Sequence, residues 1–171
     1  MAEQDQEERE PKDFFEKLKV ALKKAGAEDL ADSLRKFSNI RVPDNPPAMK
    51  EALDFFLRMV FVEITAETKS GVEKFVCCSD YGFVKKFSQG KNLRPPKELG
   101  SNSRDPFRTK SRTLVLTWDL LNNKFVSFKT DKRWEITGIP IKVPEDISPK
   151  FAELLHEVLY KLYKTERKRH D

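Results

Sequence analysis

The stretch "VFVEITAETKSGVEKFVCC", residues 60–78, decides the fold class. In its first half Val60, Val62, Ile64 and Ala66 alternate with a second set of residues that is mostly polar. A period of two is typical of a β-strand with one buried face. The "TKSG" that follows has the composition of a tight turn, and "VEKFVCC" returns with apolar residues. The sequence therefore predicts an antiparallel hairpin at the centre of the chain.

Strand patterning recurs after this hairpin. The segments "RTLVLTWDL" (112–120) and "KFVSFKT" (124–130) alternate again, and the "LNNK" between them contains two asparagines, which tolerate the positive φ of a hairpin turn. The segment "RWEITGIPI" (133–141) predicts a further strand that ends at Pro140 and Pro144. The segment "YGFVKKF" (81–87) is interpreted as a third, short strand. Together these segments predict five or six antiparallel strands.

Helical periodicity is found at both ends of the chain. The segments "KDFFEKLKVALKKAG" (12–26), Glu28 to about Ser38, and the residues after Asn45 each repeat apolar residues at helical spacing. The last predicted helix runs from about Ser148 to Lys168, with Ser148 as N-cap and Pro149 at the first position. The predicted fold is therefore α+β, with N-terminal helices and a long C-terminal helix packed on an antiparallel sheet.

The predicted domain organisation follows from these patterns. Residues 1–10 form a disordered acidic tail because they have almost no apolar side chains to bury. Residues 11–168 are predicted to form a single α+β domain. It consists of a helical part (11–58), an antiparallel sheet (59–144) that contains a basic loop (88–112), and the C-terminal helix (148–168). Residues 169–171 are a tail.

Catalytic patterns are absent from the sequence. No glycine-rich motif joins a strand to a helix, and His156 and His170 have no nucleophile in a recognisable context. The adjacent Cys77 and Cys78 lack a second Cys/His cluster, so they are expected to be reduced structural residues. Asp80 and Asp119, together with Asp105, are conceivable metal ligands, but their spacing does not favour that role. We therefore expect no enzyme activity, no cofactor and no metal.

Charge is unevenly distributed along the chain. The net charge is +5, yet the first ten residues carry five acids against one base. From Lys85 to Arg112 there are nine bases against two acids, and the C-terminal "KLYKTERKRHD" is also basic. No apolar run reaches the roughly 20 residues of a membrane span, and the N-terminus does not resemble a signal peptide. We therefore expect a cytoplasmic or nuclear protein without a transmembrane segment, for which peripheral membrane contact is disfavoured.

The basic loop, "SQGKNLRPPKELGSNSRDPFRTKSR" (88–112), is the main functional clue because its Lys and Arg residues lie close to aromatic residues. Such a mixture is typical of proteins that hold single-stranded nucleic acid, with cations on phosphates and aromatic rings on bases. The predicted phosphate contacts are Lys85, Lys86, Lys91, Arg94, Arg104, Arg108, Lys110 and Arg112, and the predicted stacking residues are Tyr81, Phe83 and Phe107.

The sequence thus predicts a non-enzymatic protein that binds RNA or single-stranded DNA with low sequence specificity. The alternative is a protein interaction or assembly module, such as an adaptor or a viral accessory or matrix-like protein, whose basic loop docks an acidic partner or a second copy of the chain. The bland interpretation of the aromatic residues is that Phe83 and Phe87 are core residues of a strand.

Overall fold

In the computed structural model, the described residues are 14–37, 40–91, 93–138 and 140–170, with backbone alone for residues 165–170. The predicted acidic tail (1–10) and the start of the first predicted helix lie outside these ranges. The described helices are α1 (Phe14–Lys24), α2 (Glu28–Ser33), α3 (Pro46–Phe56), α4 (Tyr81–Ser88) and α5 (Pro149–His170), with a short 3₁₀ turn at Lys97–Leu99. The strands are β1 (Arg35–Lys36), β2 (Val60–Thr68), β3 (Gly71–Cys78), β4 (Leu114–Asp119), β5 (Lys124–Lys129), β6 (Trp134–Ile136) and β7 (Ile141–Lys142).

The strands form one antiparallel sheet in the order β1-β7-β2-β3-β4-β5, with β6 also paired to β2. The predicted central hairpin is confirmed, because β2 and β3 pair continuously from Phe61↔Cys78 to Thr68↔Gly71. By contrast, β3 and β4 pair only at Cys77↔Asp119 and Cys78↔Trp118. The edge of β3 that faces β4 is therefore unpaired with β4 along most of its length.

The strand count exceeds the prediction for two local reasons. The chain becomes extended after Ser33, so Arg35 and Lys36 form β1 where the sequence predicted more helix. The strand predicted at 133–141 is split into β6 and β7, which both pair with β2. Gly138 lies in this interruption, where an added Cβ would be 2.9 Å from the Cβ of Glu63. The α+β class and the antiparallel sheet are confirmed.

Helices cover both faces of the sheet. On one face α1, α2, α4 and α5 bury a core that includes Phe61, Val76, Cys78 and Trp118. On the other face Leu53 and Phe56 of α3 pack with apolar residues of β2–β5, including Val62, Ile64, Phe75, Cys77 and Phe128. Cys77 and Cys78 are both free and buried, and they belong to opposite cores as strand alternation requires.

The segment 81–87, which the sequence analysis interpreted as a strand, is a helix, and that interpretation was wrong. The carboxylate of Asp80 accepts a hydrogen bond from the Phe83 amide at 3.0 Å and caps the N-terminus of α4. Helical geometry brings Phe83, Val84 and Phe87 to one buried face. Gln89, with a φ of 56°, ends the helix in the left-handed conformation.

Candidate anion-binding surfaces

The basic segment 88–112 is folded against the domain through its second half. Phe107 is 1% exposed, and its ring centroid lies 5.5 Å from that of Phe125 in β5. Arg58, just after α3, donates from Nη2 to both carboxylate oxygens of Asp105 at 3.0 and 2.9 Å. These two contacts attach the segment to α3 and to the β4–β5 hairpin.

Internal hydrogen bonds also order this segment. The Asn102 side-chain oxygen accepts from the amides of Arg104 and Asp105, both at 2.9 Å. The Lys110 amide donates to the Leu99 carbonyl at 2.8 Å, and the Ser101 hydroxyl donates to the Pro96 carbonyl at 2.6 Å. The bases of residues 94–110 are therefore attached to a backbone with a defined path.

All nine bases between residues 85 and 112 are exposed. The only ion pair that any of them makes with a described residue joins Lys86 Nζ to Asp146 at 4.0 Å, between side chains that are 51% and 103% exposed. Such a pair contributes little in water. The structure therefore leaves these charges in solvent, where they can meet an external anion: Lys85, Lys86, Lys91, Arg94, Lys97, Arg104, Arg108, Lys110 and Arg112.

The aromatic residues predicted to stack on bases have a different placement. Phe83 is 3% exposed and Phe107 is 1% exposed, so neither ring offers a face to a base in this structure. Both pack in the core that α4 and α5 share with the sheet, whereas Tyr81 is partly buried against that core. The structural interpretation of Phe83 and Phe87 as core residues agrees with their burial, although they lie on a helix and not on a strand.

A different aromatic residue is exposed near the point where the segment is attached to the domain. Phe55 of α3 is 70% exposed. The Arg58 amide donates to the Phe55 carbonyl at 3.3 Å, so the two residues belong to one helical turn. Arg58 in turn binds Asp105 of the basic segment, so Phe55 lies within one helical turn of the residue that attaches the segment. Phe55 was not among the residues predicted from the sequence, because it is distant from the bases along the chain.

The three aspartates considered as metal ligands have separate structural contacts. Asp80 caps α4, and Asp105 binds Arg58. Asp119 is fully buried and accepts hydrogen bonds from the Leu121 amide at 3.0 Å and the Asn122 side chain at 2.7 Å. Burial raises the pKa of Asp119, and these hydrogen bonds oppose the shift. Within the described ranges, no group of three His, Cys, Asp or Glu side chains is placed to hold a metal ion.

A second basic surface was not predicted from the sequence. A groove of about 1180 Å³ lies between the β2–β3 hairpin and β5. Five lysines line it, against the two acids Glu67 and Glu73, and its apolar lining includes Val72, Phe75 and Val126. The lysines are Lys69, Lys74, Lys124, Lys129 and Lys132. They come from separate turns and strands, so no local charge run marks them in the sequence.

Comparisons with known proteins add no relative. No family model, no curated protein and no solved structure matches this chain. Among the described helices, none is both long enough and apolar enough to cross a membrane.

Proposed function

We propose that this protein is a non-enzymatic nucleic-acid-binding protein that holds RNA or single-stranded DNA through the exposed bases of residues 85–112. The observation that carries the proposal is the set of nine exposed bases, which have almost no acidic partners among the described residues. The bases at 94–110 are attached to a backbone that internal hydrogen bonds hold. Unpaired cations on an ordered surface release counterions from a phosphate chain without first breaking protein ion pairs. Action in the cytoplasm or the nucleus is part of the same proposal.

Low sequence specificity follows from the chemistry of these contacts. Lys and Arg on exposed loops neutralise phosphates, which are the same at every nucleotide. With Phe83 and Phe107 buried, the candidate stacking residues are the exposed Phe55 and the partly buried Tyr81. Stacking on an aromatic face tolerates any base, so Phe55 adds affinity and little selectivity.

The test is fluorescence anisotropy with labelled oligo-U and oligo-dT of about 20 nucleotides, a length that spans a single-strand binding site. We expect the affinity of the whole chain to fall steeply between about 50 and 200 mM salt. The double variant Lys91→Glu/Arg94→Glu should lose about tenfold or more in affinity at the lower salt and should show a shallower salt dependence. Phe55→Ala should lose about five- to tenfold, with the salt dependence unchanged.

The matched control is Lys124→Glu/Lys129→Glu, which makes the same charge change in the groove. It should alter affinity for the oligonucleotides less than the Lys91/Arg94 pair does. A salt-independent interaction, or equal losses for the two pairs, would overturn the assignment to residues 85–112. A complex with an acidic protein that persists at high salt would instead favour the alternative in which the basic segment docks a protein partner.

A further inference from the structure

The groove follows the open edge of β5. All six residues of this strand, Lys124 to Lys129, line the groove. Consecutive residues of a strand point to opposite faces, so a surface that reaches both sets must run along the edge of the strand. The other edge of β5 is paired with β4 along its whole length. The groove therefore includes the edge that no described strand covers, and it extends beyond that edge to Leu114 of β4 and to Asn122 in the β4–β5 turn.

The register shows which backbone groups face this edge. The Thr130 amide donates to the Thr113 carbonyl at 2.8 Å, so residue 130 points its polar groups toward β4. In an antiparallel pair the orientation alternates along the strand, so residues 128, 126 and 124 also point toward β4. The N–H and C=O groups of Phe125 and Ser127 and the N–H of Lys129 then point away from β4, whereas the Lys129 carbonyl accepts from the Lys132 amide at 3.2 Å. Three donors and two acceptors with alternate spacing are therefore directed toward an added strand.

The side chains around this edge define the chemistry of an occupant. Lys124 and Lys129 lie at the two ends of β5, and both are exposed. Lys69 and Lys74 lie on the opposite wall, where Lys74 Nζ is 3.6 Å from Glu63 and Lys69 forms no ion pair with a described residue. Between the lysines, Val72 is 52% exposed and Val126 is partly buried. The groove thus presents positive charge together with apolar surface.

We propose that the groove binds an extended acidic peptide segment of a partner protein, which adds to β5 as the next strand. Acidic side chains of the peptide pair with the groove lysines, and apolar side chains between them cover Val72 and Val126. Main-chain hydrogen bonds to residues 125, 127 and 129 supply affinity independent of sequence, as in other strand-addition complexes. An alternating row of backbone donors and acceptors matches a polypeptide strand and has no counterpart in the backbone of a nucleic acid.

The test uses a fluorescein-labelled peptide of about eight residues that alternates Glu and Val, the length of an ordinary strand. We expect saturable binding to the whole chain. The control peptide replaces every Val by Pro, which keeps the charge but removes the alternate N–H donors and the strand conformation, and we expect it not to bind. The variant Lys124→Glu/Lys129→Glu should weaken binding of the Glu-Val peptide about tenfold or more, whereas Lys91→Glu/Arg94→Glu should leave it unchanged.

A second measurement tests the geometry directly. Amide hydrogen exchange at Phe125, Ser127 and Lys129 should slow about tenfold or more when the peptide binds, because these amides gain partners. Exchange at Val126 and Phe128, whose amides already face β4, should change less. Binding without protection of residues 125, 127 and 129 would show attraction by charge alone and would overturn strand addition.

The remaining outcomes each exclude the proposal in a different way. Absence of binding would leave Lys124 and Lys129 as charges that protect an edge strand from aggregation. Displacement of the peptide by oligo-U, with the same loss in the Lys124/Lys129 variant, would assign the groove to nucleic acid. If the peptide bound only after the five acids among residues 3–10 were changed to Gln or Asn, the occupant of the groove would be the N-terminal segment of the chain itself. Phe14, the first described residue, has its ring centroid 5.0 Å from that of Tyr163, which lines the groove, with the two rings tilted by 58°.

Discussion

At the residue scale, Asp119 is a carboxyl group buried at the end of β4. Burial raises its pKa above the ordinary value of 3.8, and hydrogen bonds from Asn122 and from the amides of Leu121 and Val76 work in the opposite direction. The folded state therefore keeps the proton of Asp119 to a higher pH than the unfolded state does. Its contribution to stability is fully present below the unfolded-state pKa and is lost as the pH rises through the folded-state pKa.

This linkage predicts the behaviour of Asp119→Asn. In the unmodified protein the free energy of unfolding should include a term that falls as the pH rises above about 4, and the Asn variant should lack that term. The variant should therefore show a smaller fall in stability over this range. Urea unfolding of both proteins at about pH 4 and about pH 7 measures this change in the free energy of unfolding. Asp54, whose pKa is also raised by burial, is present in both proteins, so identical pH dependence in the two would contradict the expectation.

Cys77 and Cys78 are expected to be unreactive in the folded protein. Burial raises the pKa of both thiols, and the nearby Asp119 raises that of Cys77 further. Because the thiolate is the reactive form, a colorimetric thiol reagent should modify neither residue in native buffer and should modify both in urea. The variant Cys78→Ala should react at one thiol in urea. Rapid reaction without urea would show that one of the two faces of β3 opens easily.

Gly100 has a backbone conformation and a close contact that a larger residue cannot share. Its φ is 98°, and an added Cβ would lie 2.5 Å from Lys110 Cγ and 3.0 Å from the Lys110 amide nitrogen. Gly100→Ala should lower the free energy of unfolding by about 1–3 kcal/mol. Gly90→Ala is the matched control because Gly90 also has positive φ, 74°, but nothing within 4 Å of the added atom. Thermal unfolding should show the larger loss at position 100.

At the element scale, α4 shows why local patterns were insufficient. Tyr81, Phe83 and Phe87 fit a period of two if Lys85 is accepted on the same face, whereas Phe83, Val84 and Phe87 fit a helix. The deciding features are the N-cap at Asp80 and the left-handed conformation of Gln89, which fix where the helix begins and ends. The periodicity of residues 81–87 does not show where these ends lie. The long periodic elements had no such ambiguity. Strands β2 and β3, and the N-cap of the last helix at Ser148, were predicted correctly.

The candidate surfaces were predictable to different degrees. The exposed bases of residues 85–112 follow from composition, because a dense run of Lys and Arg cannot be buried. The aromatic partners did not follow, since proximity in sequence does not distinguish the buried Phe107 from the exposed Phe55. The lysine groove was also beyond sequence reasoning. Lys74 and Lys129, for example, share one groove only because the fold brings β3 and β5 of the same sheet to its two walls.

The contact between Arg58 and Asp105 predicts that order in the basic segment contributes to binding. Both side chains are partly exposed, at 34% and 40%, so their ion pair stabilises the fold by about 1 kcal/mol or less. Asp105→Ala removes the pair and the acceptor for the Phe107 amide. We expect faster amide exchange in residues 101–110 and about two- to threefold weaker oligonucleotide binding, despite the gain of one positive charge.

Glu98→Ala is the matched control for that experiment. Glu98 is the other acid of the segment, is exposed and forms no ion pair with a described residue, so its removal makes the same charge change without breaking the attachment to Arg58. This variant should bind the oligonucleotide slightly more tightly. Equal tightening by Asp105→Ala and Glu98→Ala would show that net charge alone determines affinity and that the order of the segment is irrelevant.

At the scale of the whole molecule, opposite charges are separated along the chain. Five acids lie among the first ten residues, whereas the 85–112 segment and the groove expose bases. We therefore expect the acidic residues to compete with a phosphate chain for the same cations. This competition depends only on charge and tether length, so it requires no particular structure in the N-terminal residues.

Competition predicts the effect of neutralising the N-terminus in the full chain. Changing Glu3, Asp5, Glu7, Glu8 and Glu10 to Gln or Asn should tighten oligonucleotide binding about three- to tenfold at about 50 mM salt. The gain should shrink at higher salt, because screening weakens the attraction between exposed charges. Anisotropy titrations of both proteins at two salt concentrations measure it. A matched variant that neutralises five other exposed acids separates the acidic residues 3–10 from a general effect of net charge: Glu16, Glu28, Asp29, Asp44 and Glu145. Unchanged affinity at low salt for the N-terminal variant would remove the acidic residues from any account of binding.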